Sequence, residues 1–205
     1  MPQTSAQNLS SDNSLIFDVE AMAQGQEVPC LKGYVAKRFQ SEDEIPHETA
    51  NEFLMEYIYT QAVVFERATG VSVDAAEHIR AFWAHIDRVL PPQGNYYLIW
   101  SDQGQLVGTA ALRRVDDATG EMKHLYVRPE ARGTGLGRWL AERRIQDAQS
   151  LGFKCLIADT VRGNVEMPAL YAKLGFKETE PNEIGTSVNV MPTVAAGLRF
   201  FRKEI

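Results

Sequence analysis

Apolar positions change their period several times along the 205-residue chain. Residues 34–39 alternate as a half-buried strand does. From 42 to 68, Phe53, Leu54, Tyr57, Ile58, Val64 and Phe65 recur at mostly three- and four-residue steps, which predicts a helix stopped by Gly70. A second helix is predicted from Ser72 or Asp74, either one a capping residue, through Ile79, Phe82, Trp83, Ile86 and Leu90 to the Pro91-Pro92 pair. The period then shortens. Strands are expected at 96–100, 106–112 and 121–127, joined by Asp-Gln-Gly at 102–104 and by a turn at 116–120. Gly108 reads as a bulge or a close approach. A helix follows to about Leu151, then a nearly continuous apolar run at 153–158 that suits a strand buried on both faces. A short helix at 166–174, a strand at 176–179, a long loop at 181–194 and a last strand at 198–203 complete the order. This order predicts an α/β fold with a mixed sheet in one domain.

Residues 1–33 stand apart. They are rich in Ser, Gln and Asn, with one short apolar patch at 15–19, and read as a flexible N-terminal arm before a domain spanning 34–205. They carry no basic start followed by an apolar stretch, and no run in the chain approaches membrane-spanning length. Cys30 and Cys155 fit no disulfide or metal spacing, and the four histidines add no ligand pattern. The expectation is a cytoplasmic protein with free thiols, no membrane partner and no metal.

The net charge of −6 argues against nucleic-acid binding as a general role. That charge is uneven: residues 1–66 hold eleven acids against three bases, whereas residues 128–144 hold five arginines against two glutamates. The basic stretch contains Arg132-Gly133-Thr134-Gly135-Leu136-Gly137-Arg138. Glycine is a poor helix former, yet three alternate here at a helix start. Without Cβ atoms, successive amides can turn inward as a concave set of donors. The helix N-terminus adds unpaired N–H groups and its dipole, and Arg132 and Arg138 add charge. The combination predicts a phosphate or pyrophosphate site. The dinucleotide fingerprint fails, because the position for its third glycine is Arg138 or Leu140, and no Gly-Lys-Ser/Thr is present for a Walker loop.

The segment 132–137 resembles the Arg/Gln-x-x-Gly-x-Gly/Ala signature of the GNAT superfamily of acyl-CoA-dependent N-acetyltransferases. The preceding strand Glu-Met-Lys-His-Leu-Tyr-Val at 121–127 and the link Arg128-Pro129-Glu130 are similar to that family too. So is Leu-Tyr-Ala-Lys-Leu-Gly-Phe at 170–176, with Asn164 seven residues before Tyr171. The resemblance covers about residues 96–180. It implies a single GNAT domain: a mixed, mostly antiparallel sheet flanked by helices, with a central parallel strand pair splayed open. The pantetheine arm of acetyl-CoA, as co-substrate, would lie in that opening. By the same resemblance, backbone groups of Leu125, Tyr126 and Val127 would line the arm or the acyl oxygen. Arg132, Gly133, Thr134, Gly135, Leu136, Gly137 and Arg138 would hold the pyrophosphate, and Asn164 would bond the arm from the other side.

The implied reaction is direct acetyl transfer to a primary amine of a small molecule or peptide, without an acyl-enzyme. The ammonium must first lose a proton. Glu121 is a candidate base, at a position where some family members carry a catalytic glutamate. His124 is a rival by its ordinary pKa, although alternation sets it on the sheet face opposite Glu121 and Leu125 unless a bulge intervenes. Tyr171 is the candidate acid for the departing thiolate, because the resemblance places a tyrosine near the sulfur there. The acceptor is expected against the two N-terminal helices, where Tyr57, Tyr59, Phe82, Trp83 and Trp100 are available; aromatic residues at helical spacing are more often core than pocket, so none is named as a site residue. A non-catalytic acyl-CoA sensor is the alternative reading, and both monomer and homodimer are compatible with the sequence.

Overall fold

The computed structural model describes residues 24–180 and 192–205. The apolar patch at 15–19 and most of the expected loop at 181–194 lie outside the described residues.

The elements run in chain order as β1 (Gln26–Val28), β2 (Tyr34–Arg38), α1 (His47–Thr69), α2 (Ala75–Ala84), β3 (Gly94–Ser101), β4 (Leu106–Arg114), β5 (Thr119–Val127), α3 (Leu136–Ser150), β6 (Cys155–Val161), α4 (Glu166–Lys173), β7 (Lys177–Thr179), α5 (Pro192–Ala195) and β8 (Leu198–Glu204). The eight strands of the described residues form one sheet in the order β1-β2-β3-β4-β5-β6-β8-β7. Neighbours are antiparallel except β5 and β6, which run parallel.

β3 shows why its sequence is apolar throughout. Tyr96, Leu98 and Trp100 pack beneath Phe53 and Leu54 of α1 and Ile79 and Phe82 of α2. The alternate residues Tyr97 and Ile99 pack against Leu136 and Leu140 of α3 on the other face. Further along the sheet, α3 and α4 cover Leu112, Met122, Leu156 and Ala158. Phe65, near the end of α1, covers Ile157, Leu198 and Phe200 on the opposite face.

A helical turn at Pro192–Ala195 ends the span read as a loop, and three larger differences from the sequence reading follow. The first long helix starts at His47, with only a short 3-10 turn at Glu42–Glu44, because Ile45 precedes Pro46 and is extended (φ −80°, ψ 127°). The second helix breaks at His85 (φ −131°, ψ 30°), well before Pro91-Pro92, and Ile86–Val89 forms a 3-10 turn that keeps Ile86 and Val89 buried. Its start is as read: Asp74 caps it, accepting from the Glu77 N–H at 3.0 Å. The third difference lies inside the expected arm. Gln26–Val28 adds an edge strand to β2, Val28 is buried, and Cys30 and Leu31 pack against the α3 side of the sheet. The sheet therefore begins before residue 34.

Candidate active site

The parallel pair is short. Thr119 to Met122 of β5 pair with Cys155 to Ala158 of β6, and no rung continues beyond Met122 and Ala158. From that point the strands part, as the splayed pair requires. The amide of Arg128 bonds the Val107 carbonyl of β4. Alternation along the strand then turns the backbone groups of Leu125 and Val127 to the open edge and those of Tyr126 to β4. The Tyr126 side chain is also committed elsewhere: its hydroxyl donates to Glu56 at 2.9 Å, and its ring packs beside Phe53 and Tyr57. Of the three expected residues on this strand, Leu125 and Val127 face the opening and Tyr126 does not.

The opening leads to the glycine loop. Gly133 and Gly135 have φ of +77° and +94°, which only glycine adopts readily. Gly137 has no such excuse: an added Cβ would meet Val127 at an ordinary 3.9 Å, and alanine would favour the helix by about 1 kcal/mol. The first amide of α3 to bond back is that of Trp139, to the Gly135 carbonyl at 2.9 Å. Among the described residues, the N–H groups of Gly133 through Arg138 have no partner. Thr134 uses its hydroxyl to close the turn onto the Ala131 carbonyl. The flanking arginines are engaged: Arg132 with the Val127 carbonyl at 3.0 Å and Glu166 at 3.6 Å, Arg138 with Glu142 at 2.8 Å. Bare backbone, more than side-chain charge, is what the loop offers.

Across the opening, the Asn164 side-chain oxygen accepts from the Glu166 and Met167 amides, both at 3.0 Å, and so caps α4. This leaves its NH₂ as the group turned outward. One turn into α4, Tyr171 is 2% exposed, its ring against Phe176 and Phe201. Burial holds its pKa above the ordinary phenol range, so the hydroxyl stays protonated and able to donate.

Leu125, Asn164 and Tyr171 line a cavity of about 420 Å³ that continues between the sheet and helices α1 and α2. Its floor is a row of charges across three strands. Arg113 of β4 grips Glu121 of β5 through Nε at 2.7 Å and Nη2 at 2.6 Å. Lys123 lies 3.6 Å from Glu121 and 2.9 Å from Asp159 of β6. Burial works against the Lys123 ammonium, but Asp159 and Glu121 outweigh it and hold its pKa above the lysine range. Glu121 is completely buried beneath this row, and the groups that reach the cavity are Arg113, Lys123 and Asp159. Sequence reasoning named Glu121 and missed the other three. An acid in the apolar run of β6, at the carboxyl end of a strand where a parallel pair opens, is the signal that points to Asp159.

A bulge decides where His124 goes. Thr109 faces Tyr126 and Ala111 faces Lys123, so His124 and Leu125 together oppose Ala110. His124 takes φ +53°. Its ring thereby joins the Glu121 face, 4.8 Å from Phe82 and 6.1 Å from Tyr57, while Leu125 turns to the α3 side. The alternation argument is reversed on both residues. Burial and the nearby Lys123 and Arg113 push the His124 pKa down to about 3. The imidazole is neutral at physiological pH and a weak proton acceptor.

Comparison with known proteins fits this geometry. The acetyltransferase (GNAT) family model matches residues 56–176. An uncharacterised N-acetyltransferase of Schizosaccharomyces pombe is 37% identical over 92 residues, 44% of this chain and 56% of that protein. An IAA acetyltransferase of Azospirillum brasilense is 34% identical over 86 residues, 42% of this chain and again 56% of that protein. The chain thus spans little more than half the length of these relatives. Among solved structures, an acetyltransferase of Streptococcus agalactiae covers 85% of this chain and 100% of its own at 23% identity, with a TM-score of 0.62. A GNAT acetyltransferase of Elizabethkingia anophelis with acetyl-CoA bound covers 85% and 100% at 17% identity, with a TM-score of 0.53. These two likenesses concern the fold. The splayed strand pair, the glycine loop at the start of α3 and the family match over 56–176 together establish that the chain belongs to the acetyltransferase (GNAT) family.

Proposed function

We propose that the protein transfers the acetyl group of acetyl-CoA to a primary amine of a small molecule or peptide. The observation that carries this reading is the succession of three features along and beyond β5. Unpartnered amides from Gly133 to Arg138 lie at one end, the open edge of β5 follows, and a cavity containing the Tyr171 side chain lies at the other end. In this reading the loop amides hold the pyrophosphate. Leu125 groups, the Val127 N–H and the Asn164 amide hold the pantetheine arm like an added strand.

The amine nitrogen attacks the thioester carbon, the C–S bond breaks, Tyr171 protonates the departing thiolate, and the proton that the nitrogen sheds on becoming an amide returns to Tyr171 through water. An N–H at the bulge stabilises the oxygen while it carries charge. The amine must arrive neutral. Glu121 was the carboxylate expected to accept the ammonium proton. Its place beneath Arg113 and Lys123 suits it to hold those cations, and Asp159, which reaches the cavity, suits proton acceptance, directly or through water. The cavity volume suits a small molecule or a single side chain.

A thermal-shift comparison of acetyl-CoA, ATP and NAD tests the coenzyme, and a thiol-release screen across polyamines, amino acids, aminoglycosides and peptides tests the acceptor. Stabilisation by acetyl-CoA alone, and release with one acceptor class, is the expected result. Stabilisation by ATP or NAD without acetyl-CoA contradicts the reading.

A further inference from the structure

The charge row does not use up all of its donors in holding itself together. Arg113 gives Nε and Nη2 to Glu121, at 2.7 and 2.6 Å. Its Nη1 has no partner among the described residues. Nor is that nitrogen sealed in, for the side chain keeps 19% of its surface and lines the cavity. A guanidinium gripped along its Nε–Nη2 edge presents Nη1 as a fixed, charged donor.

A second guanidinium belongs to the same wall. The 3-10 turn Ile86–Val89 packs against β4, and Arg88 of that turn is exposed and lines the same cavity. Among the described residues, Arg88 makes no hydrogen bond or ion pair through its side chain.

Strand register orders these groups along the cavity. Asp159 is one residue past the Met122–Ala158 rung, level with Lys123, and Lys123 faces Ala111. Arg113 is two residues from Ala111, on the side away from Leu125, which is about 7 Å of strand. Leu125 at the coenzyme end is therefore followed by Lys123 and Asp159, and then by Arg113. The acids that reach the cavity stand apart from the two arginines. Asp159 is two strands away from Arg113, and Glu77 lies in the first turn of α2, whose other end leads to Arg88. Ile58 and Phe65 of α1, with Val73 and Val89, make the lining apolar elsewhere. The cavity thus offers a carboxylate near the reacting centre, anion-binding donors beyond it and an apolar wall.

We propose that the acceptor is an α-amino acid with an apolar side chain, its carboxylate bound by Arg88 and Arg113 Nη1 and its amine beside Asp159. The inference rests on the acetyltransferase reading above and narrows its acceptor. The carboxylate takes no part in the bond changes and keeps its charge throughout, so the arginines bind and orient it. A polyamine would set a second cation against them and is disfavoured.

The test measures thiol release from acetyl-CoA with leucine, methionine and phenylalanine, and with their amides, which keep the shape and lose the negative charge. Wild type is expected to favour each acid over its amide by about 10- to 100-fold in kcat/KM, mainly through KM. Arg88→Gln, a change at an exposed position, is expected to cut that preference by about 10-fold by raising KM for the acids. Arg88→Lys keeps the charge without the fork and should restore part of the preference. No release with any of the three acids, equal use of acid and amide, or an unchanged preference in Arg88→Gln each overturns the inference and leaves the acetyltransferase reading standing. A wild type that releases thiol with no amine of the wider screen overturns both.

Discussion

The glycine loop and the charge row lie near opposite ends of β5 and are built in opposite ways. The loop offers main-chain N–H groups and gets its shape from missing side chains at 133, 135 and 137. The row offers side chains from β4, β5 and β6 that meet only through strand register. A grip on a diphosphate needs no particular side chain, so local residue spacing suffices. Handling one proton on one amine needs a particular carboxylate at a particular depth, and that depth is set by strands distant in sequence.

Breaking the comparison hardest means removing the group where the two halves meet. Tyr171→Phe should lower kcat by about 100- to 10,000-fold and leave acetyl-CoA affinity within about 2-fold, read by thiol release and calorimetry. Full turnover in that variant would remove Tyr171 as the acid, whereas a wild type that binds acetyl-CoA but acetylates no acceptor would return the protein to the acyl-CoA sensor reading. The two acidic members of the row should then separate. Asp159→Asn is expected to cost about 100-fold in turnover with modest loss of stability. Glu121→Gln breaks an ion pair whose carboxylate is fully buried and should cost on the order of 3 kcal/mol of stability in denaturant melts. If Glu121→Gln abolished turnover without destabilising the fold, the roles assigned to the two carboxylates would have to be exchanged.

The smallest effect concerns the clamp that ties α1 to the end of β5. Arg128 holds Glu56 at 2.6 Å, and Tyr126 donates to the same carboxylate. Burial opposes the Glu56 charge, but these hydrogen bonds outweigh it and hold its pKa below the ordinary glutamate range. A depressed folded pKa stabilises above the unfolded value, about 4.3, and that contribution is lost as pH falls through the folded pKa. Melting temperature followed from about pH 7 to about pH 3 should therefore fall less steeply in Glu56→Gln than in wild type. Parallel curves would remove Glu56 from the account.

This contrast also explains what could be read in advance. The helices around Phe53, Ile79 and Leu140 and the strands from β2 to β8 follow from apolar period, and the loop follows from glycine spacing. β1 escaped because three residues of polar edge strand have no periodic signature; only pairing with β2 orders them. His124 escaped because a bulge is a property of two strands, invisible in either alone. Asp159 escaped, and the burial of Glu121 with it, because alternation tells which face a residue takes, but not how deeply a neighbouring strand buries it.

The claim on which the rest depends is that bare amides at the start of α3 grip the coenzyme, and Gly137→Ala tests it with least disturbance. The substitution meets no clash in the protein and removes a poor helix former. The account predicts a melting temperature equal to or above that of wild type together with acetyl-CoA binding weakened by about 10-fold, because the new methyl group stands where the diphosphate must approach. Unchanged acetyl-CoA affinity in a folded Gly137→Ala protein would contradict it.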